Sequence, residues 1–147
     1  MGTDHVEAIN RVKHRYFRAV DAKDADALRR CFTADATLDY GPGSAPTVDA
    51  MVAGYGDVAR DPDGGLLVLD AHLGLHPEIE LVSDREATGT WVLQFRRVDR
   101  AAGTEMVLLG DYRDEYVLDG DAWKIRSCVF RSTWGRITPL PPGTVFM

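Results

Sequence analysis

Four polar side chains in this 147-residue sequence have types and positions suited to acid–base chemistry. Tyr16 and Asp21 lie near the end of a helical pattern, His72 lies within a strand pattern, and Arg131 lies near the end of a later one. A histidine that is hydrogen-bonded to a carboxylate is held in one tautomer and can accept a proton near neutral pH. Arginine and tyrosine donors can stabilise the negative charge that develops when a proton leaves carbon. These residue types are therefore candidates for an acid–base site in which His72 would be the base.

Each of these residues also has a purely structural interpretation. A lone histidine in a strand is more often a core or surface residue than a catalyst. Asp21 can be a solvated carboxylate, although a helix C-terminus disfavours negative charge. Tyr16 can simply pack with its hydroxyl bonded nearby, and Arg131 can reach the rim and pair with a surface carboxylate. Taken one at a time, the four residues leave both interpretations open.

An amphipathic helix is predicted for residues 4–22, because apolar residues recur there at spacings of three and four. This apolar stripe consists of Val6, Ile9, Val12, Tyr16 and Val20. Four basic residues fall mostly off the stripe and are expected to be solvated: Arg11, Lys13, Arg15 and Arg18. Three further elements are predicted: a helix over residues 25–32, a strand over 36–40 and a helix over 48–59. Asp24 and Thr47 are the expected N-caps of the two later helices.

The hydrophobic period changes to two after the turn cluster at residues 61–65, which predicts strands. These are expected at residues 66–73, 77–82, 87–97, 105–118 and 122–134. The first two either stay separate or form one long strand with a bend at Gly74 or Pro77. Hairpin-sized turns between the later strands predict antiparallel neighbours, and so an α+β domain with helices on one face of a curved antiparallel sheet. The proline-rich tail, residues 137–147, is expected to be an extended arm over the mouth of the domain or over a neighbouring subunit.

Alternation within the strands predicts which side chains line a pocket. Three residues of one strand form an apolar face that is expected to point inward: Trp91, Leu93 and Phe95. In the last strand the inward set is expected to be Ile125, Ser127, Val129 and Arg131. A charged residue in phase with an apolar face is the kind of departure that marks a functional site. The predicted pocket is mostly apolar and suits a small, ring-containing hydrophobic molecule.

Composition excludes several other classes of function. The net charge is −6 and no run of basic residues is present, which argues against binding nucleic acid. The polar beginning of the sequence and the lack of any apolar run near ~18 residues predict a cytoplasmic protein without a membrane span. Cys31 and Cys128 are expected to be buried free thiols. None of the histidines stands at a spacing typical of metal ligands, so neither a metal nor another cofactor is expected.

Three segments together resemble the SnoaL-like branch of the nuclear-transport-factor-2-like superfamily. They are RYFRAVD at residues 15–21, AHLGLHPEI at 71–79, and WKI at 123–125 followed by Phe130 and Arg131. The pattern is similar to that of bile-acid 7α-dehydratases, with scytalone dehydratase and hexachlorocyclohexane dehydrochlorinase as more distant likenesses. The resemblance spans nearly the whole chain and implies a single domain over residues 1–147 with a cone-shaped α+β barrel around one pocket.

The resemblance also implies a role for each of the polar residues. His72 matches the general base and Asp21 the carboxylate that orients it. Tyr16 matches a dehydratase tyrosine where the dehydrochlorinase has a lysine. Tyr40 matches a pocket tyrosine, and Arg131 matches a late arginine. The sequence departs from the bile-acid enzymes in one respect: Phe95 stands where those enzymes carry an aspartate, which predicts a drier pocket and a different substrate.

The expected function is therefore a cofactor-independent lyase that removes water or hydrogen halide from a small cyclic compound. An isomerase or a polyketide cyclase would use the same kind of pocket, although in those enzymes a lone carboxylate usually acts as the base. A non-catalytic carrier of hydrophobic ligands, or an accessory subunit, is a further alternative. The chain is expected to form a homodimer or homotrimer.

Overall fold

The computed structural model describes residues 4–147 and begins with the predicted amphipathic helix, α1 (His5–Ala22). Asp4 is its N-cap, since the Asp4 side chain accepts a hydrogen bond from the backbone N–H of Glu7 at 3.0 Å. Lys23 is its C-cap. The backbone of Lys23 is left-handed (φ 56°), and its N–H donates to the carbonyls of Ala19 and Val20 in the last turn. The buried side of α1 consists of Ile9, Val12, Lys13, Tyr16, Phe17, Ala19 and Val20. The prediction of α1 is confirmed, apart from the burial of Lys13 and the exposure of Val6.

Three short elements follow before the long strands: α2 (Ala25–Arg30), β1 (Phe32–Asp39) and α3 (Val48–Ala53). The side chains of Asp24 and Thr47 cap α2 and α3, as predicted. The third helix is shorter than predicted and continues only as a 3-10 turn, Gly54–Asp57. Two glycines in that turn disfavour a regular helix, because glycine loses the most backbone freedom on folding.

Four long strands complete the domain: β2 (Val68–Leu81), β3 (Glu86–Asp99), β4 (Thr104–Asp119) and β5 (Ala122–Pro139). They form one curved five-stranded sheet with the order β1-β5-β4-β3-β2. The prediction of an antiparallel sheet holds for β2 to β5, but β1 runs parallel to β5. Hairpin turns fix the direction only of strands that they join, and β1 reaches the sheet through a longer connection. The sheet is also not closed, so it is not a complete barrel.

The bend and the end of the sheet differ in detail from the prediction. β2 is one long strand, and its register shifts between Leu75 and Glu78, where His76 has a left-handed backbone (φ 49°). β5 continues to Pro139, so the tail outside the sheet begins at residue 140 and not at 137. Beyond Pro139, the backbone N–H of Leu140 still bonds to the carbonyl of Gly103 at 2.9 Å. Contact of this arm with a neighbouring subunit stays a prediction.

Helix α1 packs against β2 and β5, and this packing places the end of the helix beside the middle of β2. Gly74 allows the close approach, because a Cβ atom added there would lie 2.1 Å from Cε2 of Phe17. Within residues 4–147 no helix is both long and apolar enough to cross a membrane. The outer face of β2 keeps three leucines partly exposed: Leu69, Leu73 and Leu75. Assembly into a homodimer or homotrimer stays a prediction.

Replacing Gly74 with alanine should therefore lower the free energy of unfolding by about 1–3 kcal/mol, since the Phe17 ring must move out of a filled core. Urea denaturation of the variant measures this loss. Gly54→Ala is a matched control, because a Cβ atom at Gly54 would meet nothing within 4 Å. Equal stability of the Gly74 and Gly54 variants would contradict the close packing of α1 on β2.

Candidate active site

Asp21 and His72 meet where the last turn of α1 crosses β2. Oδ1 of Asp21 lies 2.5 Å from Nδ1 of His72, and both carboxylate oxygens accept from the His72 backbone N–H at 3.2 Å. The carboxylate therefore fixes both the backbone and the ring of the histidine. Because a carboxylate is an acceptor, the neutral imidazole carries its proton on Nδ1 and leaves the Nε2 lone pair free. The pair can thus accept a proton at Nε2 while Asp21 stabilises the resulting imidazolium.

The His72 ring borders a cavity of about 320 Å³ between α1 and the curved sheet. Most of its walls are aliphatic or aromatic, as predicted, but one end carries three charged side chains. The lining residues are Tyr16, Val20, Lys23, Tyr40, Met51, Tyr55, Asp70, His72, Leu93, Phe95, Arg97, Leu108, Tyr112 and Phe130. Phe95 contacts the histidine directly, with ring centroids 4.6 Å apart, so the imidazole faces an apolar surface on that side. A cavity of this size suits one small ring compound.

Three tyrosine hydroxyls converge on this cavity. The Tyr16 hydroxyl lies 2.7 Å from that of Tyr40 and 3.3 Å from that of Tyr112. Burial is the main cause that raises the pKa of all three phenols well above the ordinary value, and the neighbouring tyrosines raise it further for Tyr16. The hydroxyls consequently stay protonated across the physiological range. They form a cluster of buried, neutral hydroxyls at the wall of a cavity that is partly open to solvent.

A buried ion pair lies beneath the tyrosine cluster. Nζ of Lys13 is 2.8 Å from Oδ2 of Asp114, and both side chains are fully buried. Nζ also lies 3.6 Å from the centroid of the Tyr112 ring and 4.4 Å from that of Tyr16. The expectation that Lys13 is solvated is therefore wrong. Asp114 in turn accepts from the hydroxyl of Tyr116 at 2.7 Å, which ties the pair into the core.

Arg131 does not reach the cavity, contrary to the prediction. Its side chain is 58% exposed and forms a two-pronged ion pair with Asp39, at 3.0 and 2.6 Å. The cause is a bulge in β5: Tyr116 pairs with Ile125 and Glu115 with Ser127, so Arg126 is an extra residue. This extra residue turns the side chains from Ser127 to Ser132 to the other face of the sheet, until a second extra residue, Thr133, restores the original phase.

The same bulge removes Val129 from the predicted lining, and Phe130 takes the inward position. The inward face predicted for β3 is confirmed, since Trp91, Leu93 and Phe95 are all buried. Trp91 nevertheless does not line the cavity. Its indole donates to the Tyr116 hydroxyl at 3.1 Å, and its ring packs edge-on against Phe17, deeper in the core.

A cluster of charged residues at the rim of the cavity was not predicted from the sequence. Asp70 of β2 accepts hydrogen bonds from Lys23 at the end of α1 and from Arg97 of β3. Strand alternation could have identified these residues. Asp70 is in phase with His72 on β2, and Arg97 is in phase with Phe95 on β3, so both belong to the inner face of the sheet. Tyr112 was missed as well, although it alternates with Asp114 and Tyr116 along β4.

Both cysteines are buried free thiols, as predicted. Burial raises the pKa of Cys128 to about 12 and that of Cys31 to about 11, so neither is a thiolate nucleophile near neutral pH. Over the part of the chain from residue 4 to 147, no three His, Cys, Asp or Glu side chains are grouped as metal ligands would be. A metal-free and cofactor-free reaction stays a prediction.

With its N-terminal helices, curved sheet and cavity, the chain is a SnoaL-like pocket protein. The SnoaL-like domain family matches residues 3–129, and the chain belongs to this family, within the nuclear-transport-factor-2-like superfamily. This confirms the resemblance inferred from the sequence. A comparison with curated proteins gave no significant match.

Solved structures with the same fold cover nearly the whole chain. A candidate scytalone dehydratase from Novosphingobium aromaticivorans is 23% identical, with a TM-score of 0.76, over 96% of this chain and 95% of the other. A hexachlorocyclohexane dehydrochlorinase from Novosphingobium barchaimii is 18% identical, with a TM-score of 0.73, over 97% and 93%. A candidate aromatic ring hydroxylase from Novosphingobium aromaticivorans is 19% identical, with a TM-score of 0.72, over 90% of each chain. At these identities the likeness establishes the fold.

Proposed function

We propose that this protein is a cofactor-independent lyase that eliminates water or hydrogen halide from a small, mostly hydrophobic ring compound. The observation that carries the proposal is the 2.5 Å contact between Asp21 and His72 at the wall of a cavity. Asp21 is hydrogen-bonded to Nδ1 of His72, so Nε2 is the ring nitrogen that is left to act as the base. A positioned base of this kind contributes typically ~10²–10⁴-fold to a proton transfer.

The reaction begins when Nε2 of His72 takes a proton from a ring carbon. The electron pair of the broken C–H bond forms a C=C bond as the neighbouring carbon loses its hydroxyl or halide with the bonding electrons. The proton on the imidazolium then passes to the departing hydroxide, which gives water, or to solvent when a halide leaves. No oxidant, metal or added nucleophile is needed for the balance.

The tyrosine cluster is proposed to stabilise the negative charge that develops during this step. All three phenols are neutral, and the two hydrogen bonds to the Tyr16 oxygen use two of their three protons, which leaves one hydroxyl proton to donate to a ligand. A preorganised donor at a buried position stabilises developing negative charge more strongly than the same donor in bulk solvent. Arg131 plays no part in this proposal, because it is bound to Asp39 outside the cavity.

The form of the base favours elimination over isomerisation or cyclisation by a lone carboxylate. Asp21 is occupied by His72, and the cavity carboxylate, Asp70, is bound by two cations. Neither carboxylate is thus free to act as the base. The names of two structural neighbours, a candidate dehydratase and a dehydrochlorinase, also support an eliminating enzyme.

The proposal can be tested by a product screen on the purified protein. Cyclic β-hydroxyketones and chlorinated cyclohexanes are incubated with the wild type and with His72→Asn, and products are analysed by mass spectrometry. We expect loss of water or hydrogen chloride from at least one substrate with the wild type only. Substrates that are bound and recovered unchanged would instead indicate a ligand carrier.

Replacing Asp21 with asparagine should leave the fold intact but lower turnover by roughly 10²-fold or more. An asparagine amide that donates to Nδ1 would place the imidazole proton on Nε2, which removes the basic lone pair from the cavity. Steady-state kinetics and thermal melting measure the two effects. Asp35→Asn is the matched control, since Asp35 is exposed on β1. Unchanged turnover in the Asp21 variant would remove this carboxylate from the mechanism.

A further inference from the structure

We infer that the cavity recognises its ligand through an anionic substituent, a carboxylate, held at the rim by Lys23 and Arg97. This inference deepens the proposed function, since the occupant would be the substrate of that site. Nothing in the elimination chemistry requires the charge cluster, which lies at the end of the cavity and does not contact His72 through any hydrogen bond.

The rim holds two cations for one carboxylate. Asp70 binds Nζ of Lys23 at 2.6 Å and both Nε and Nη2 of Arg97, at 2.7 and 2.8 Å. The side chains of Asp70 and Lys23 are 1% and 8% exposed, whereas that of Arg97 is 42% exposed. These three side chains therefore carry a formal charge of one positive unit in a partly desolvated place, with the carboxylate of Asp99 as a more distant neighbour of Arg97. A second carboxylate from a ligand would neutralise it.

Unused hydrogen-bond donors point to the same ligand chemistry. Lys23 gives two of its three N–H bonds to Val20 O, at 3.0 Å, and to Asp70. Nη1 of Arg97 bonds to no protein atom within residues 4–147. Tyr55 lines the same cavity, and its hydroxyl is buried without a partner among the described residues. A buried hydroxyl without a partner is costly, so a ligand oxygen there would be favourable.

The protonation states of the rim support a net positive charge. Burial alone would raise the pKa of Asp70, but the hydrogen bonds from Arg97 and Lys23 outweigh it and hold that pKa below its ordinary value. Asp70 is thus ionised near neutral pH and binds no further anion itself. Burial, with the nearby Asp70 charge, raises the pKa of Tyr55 to about 12, so its hydroxyl remains a donor.

The strand geometry sets the spacing that a ligand must match. Asp70 and His72 are two residues apart on the inner face of β2, as Phe95 and Arg97 are on β3. Two residues of a strand span roughly 7 Å. The preferred ligand therefore carries its carboxylate roughly 7 Å from the carbon that His72 faces, about the width of a fused pair of rings.

A matched pair of probes tests the inference without any turnover. 2-Naphthoate and 2-naphthamide have the same size and differ in charge, and their affinities can be measured by isothermal titration calorimetry at low ionic strength. We expect the wild type to bind the carboxylate roughly tenfold or more tighter than the amide. Added salt should reduce this preference, because screening weakens charge attraction.

Two variants identify the groups responsible. Arg97→Gln and Lys23→Gln should each reduce the preference for naphthoate, and a reduction in at least one of them supports the inference. Arg96→Gln, the neighbouring residue on the outer face of β3, should keep the wild-type preference. Thermal melting shows that each variant is folded.

The inference is overturned if naphthoate and naphthamide bind equally, if neither binds, or if the preference survives unchanged in both rim variants. None of these results bears on elimination, which is assayed with uncharged substrates. Conversely, if the protein eliminates nothing but prefers naphthoate, the proposed lyase activity is wrong and the anion site is still supported.

Discussion

Replacing His72 with asparagine should lower the rate of elimination by roughly 10²–10⁴-fold while the protein stays folded. Asparagine can keep a hydrogen bond to Asp21 but has no basic nitrogen to accept a proton at the place of Nε2. The substitution should lower kcat/KM for each substrate that the product screen identifies. Binding of unreactive ring compounds should change little, since most of the cavity wall is untouched.

His76→Asn is the matched control for this variant. His76 lies on the same strand but is exposed, and its left-handed backbone is one that asparagine adopts readily. The control should keep wild-type kinetics. Equal activity in the His72 variant and the wild type would contradict a histidine base, whatever the cavity binds.

Replacing Asp114 with asparagine should destabilise the protein by about 3–5 kcal/mol, because it leaves the ammonium group of Lys13 buried without a counter-charge. Both members of the pair are fully buried, at an N–O distance of 2.8 Å. The same change should weaken the packing beneath the tyrosine cluster, since Lys13 lies against the rings of Tyr16 and Tyr112. Urea denaturation measures the loss of stability.

A second variant separates the lost charge from lost packing. Combining Lys13→Met with Asp114→Asn removes both charges and should recover most of the stability, since a neutral pair has no unpaired ion to desolvate. An Asp114→Asn variant that loses less than ~1 kcal/mol would mean that Lys13 finds another partner or escapes to solvent. The double variant would then show no recovery.

Much of the site was predictable because helix and strand periods decide which side chains share a face. The apolar stripe of α1 placed Tyr16 inward and Asp21 at its edge, and the structure brings Asp21 to His72. The alternation in β3 likewise identified Leu93 and Phe95 as lining residues. Local patterns are reliable where an element is regular from end to end.

The outward position of Arg131 could not be predicted from strand alternation. Its phase was counted from Ile125 as though β5 were regular, but the extra residue at Arg126 reverses the face of the side chains that follow, as far as a second bulge at Thr133. Nothing in the local alternation marks that bulge, because it depends on the register with β4. The parallel pairing of β1 with β5 is also a long-range choice that no hairpin turn specifies.

The buried pair of Lys13 and Asp114 was missed for a different reason, because the sequence places each of these charged residues on the apolar face of its element. Lys13 is in helical phase with Ile9, Tyr16 and Val20, and Asp114 is in strand phase with Tyr112 and Tyr116. A charge on an apolar face in each of two elements is the pattern of a buried pair, because each can be buried only with a partner. The two deviations had to be considered together.

Proton abstraction by the Asp21–His72 pair can be tested most directly with a carbon acid, without knowing the natural substrate. 5-Nitrobenzisoxazole is a small neutral bicycle that opens to a coloured phenolate when a base removes its ring C–H proton. We expect the wild type to accelerate this reaction with saturation kinetics, the acceleration to fall by roughly 10²-fold or more in His72→Asn, and His76→Asn to keep it. Equal rates in the wild type and the His72 variant would contradict proton abstraction by the Asp21–His72 pair.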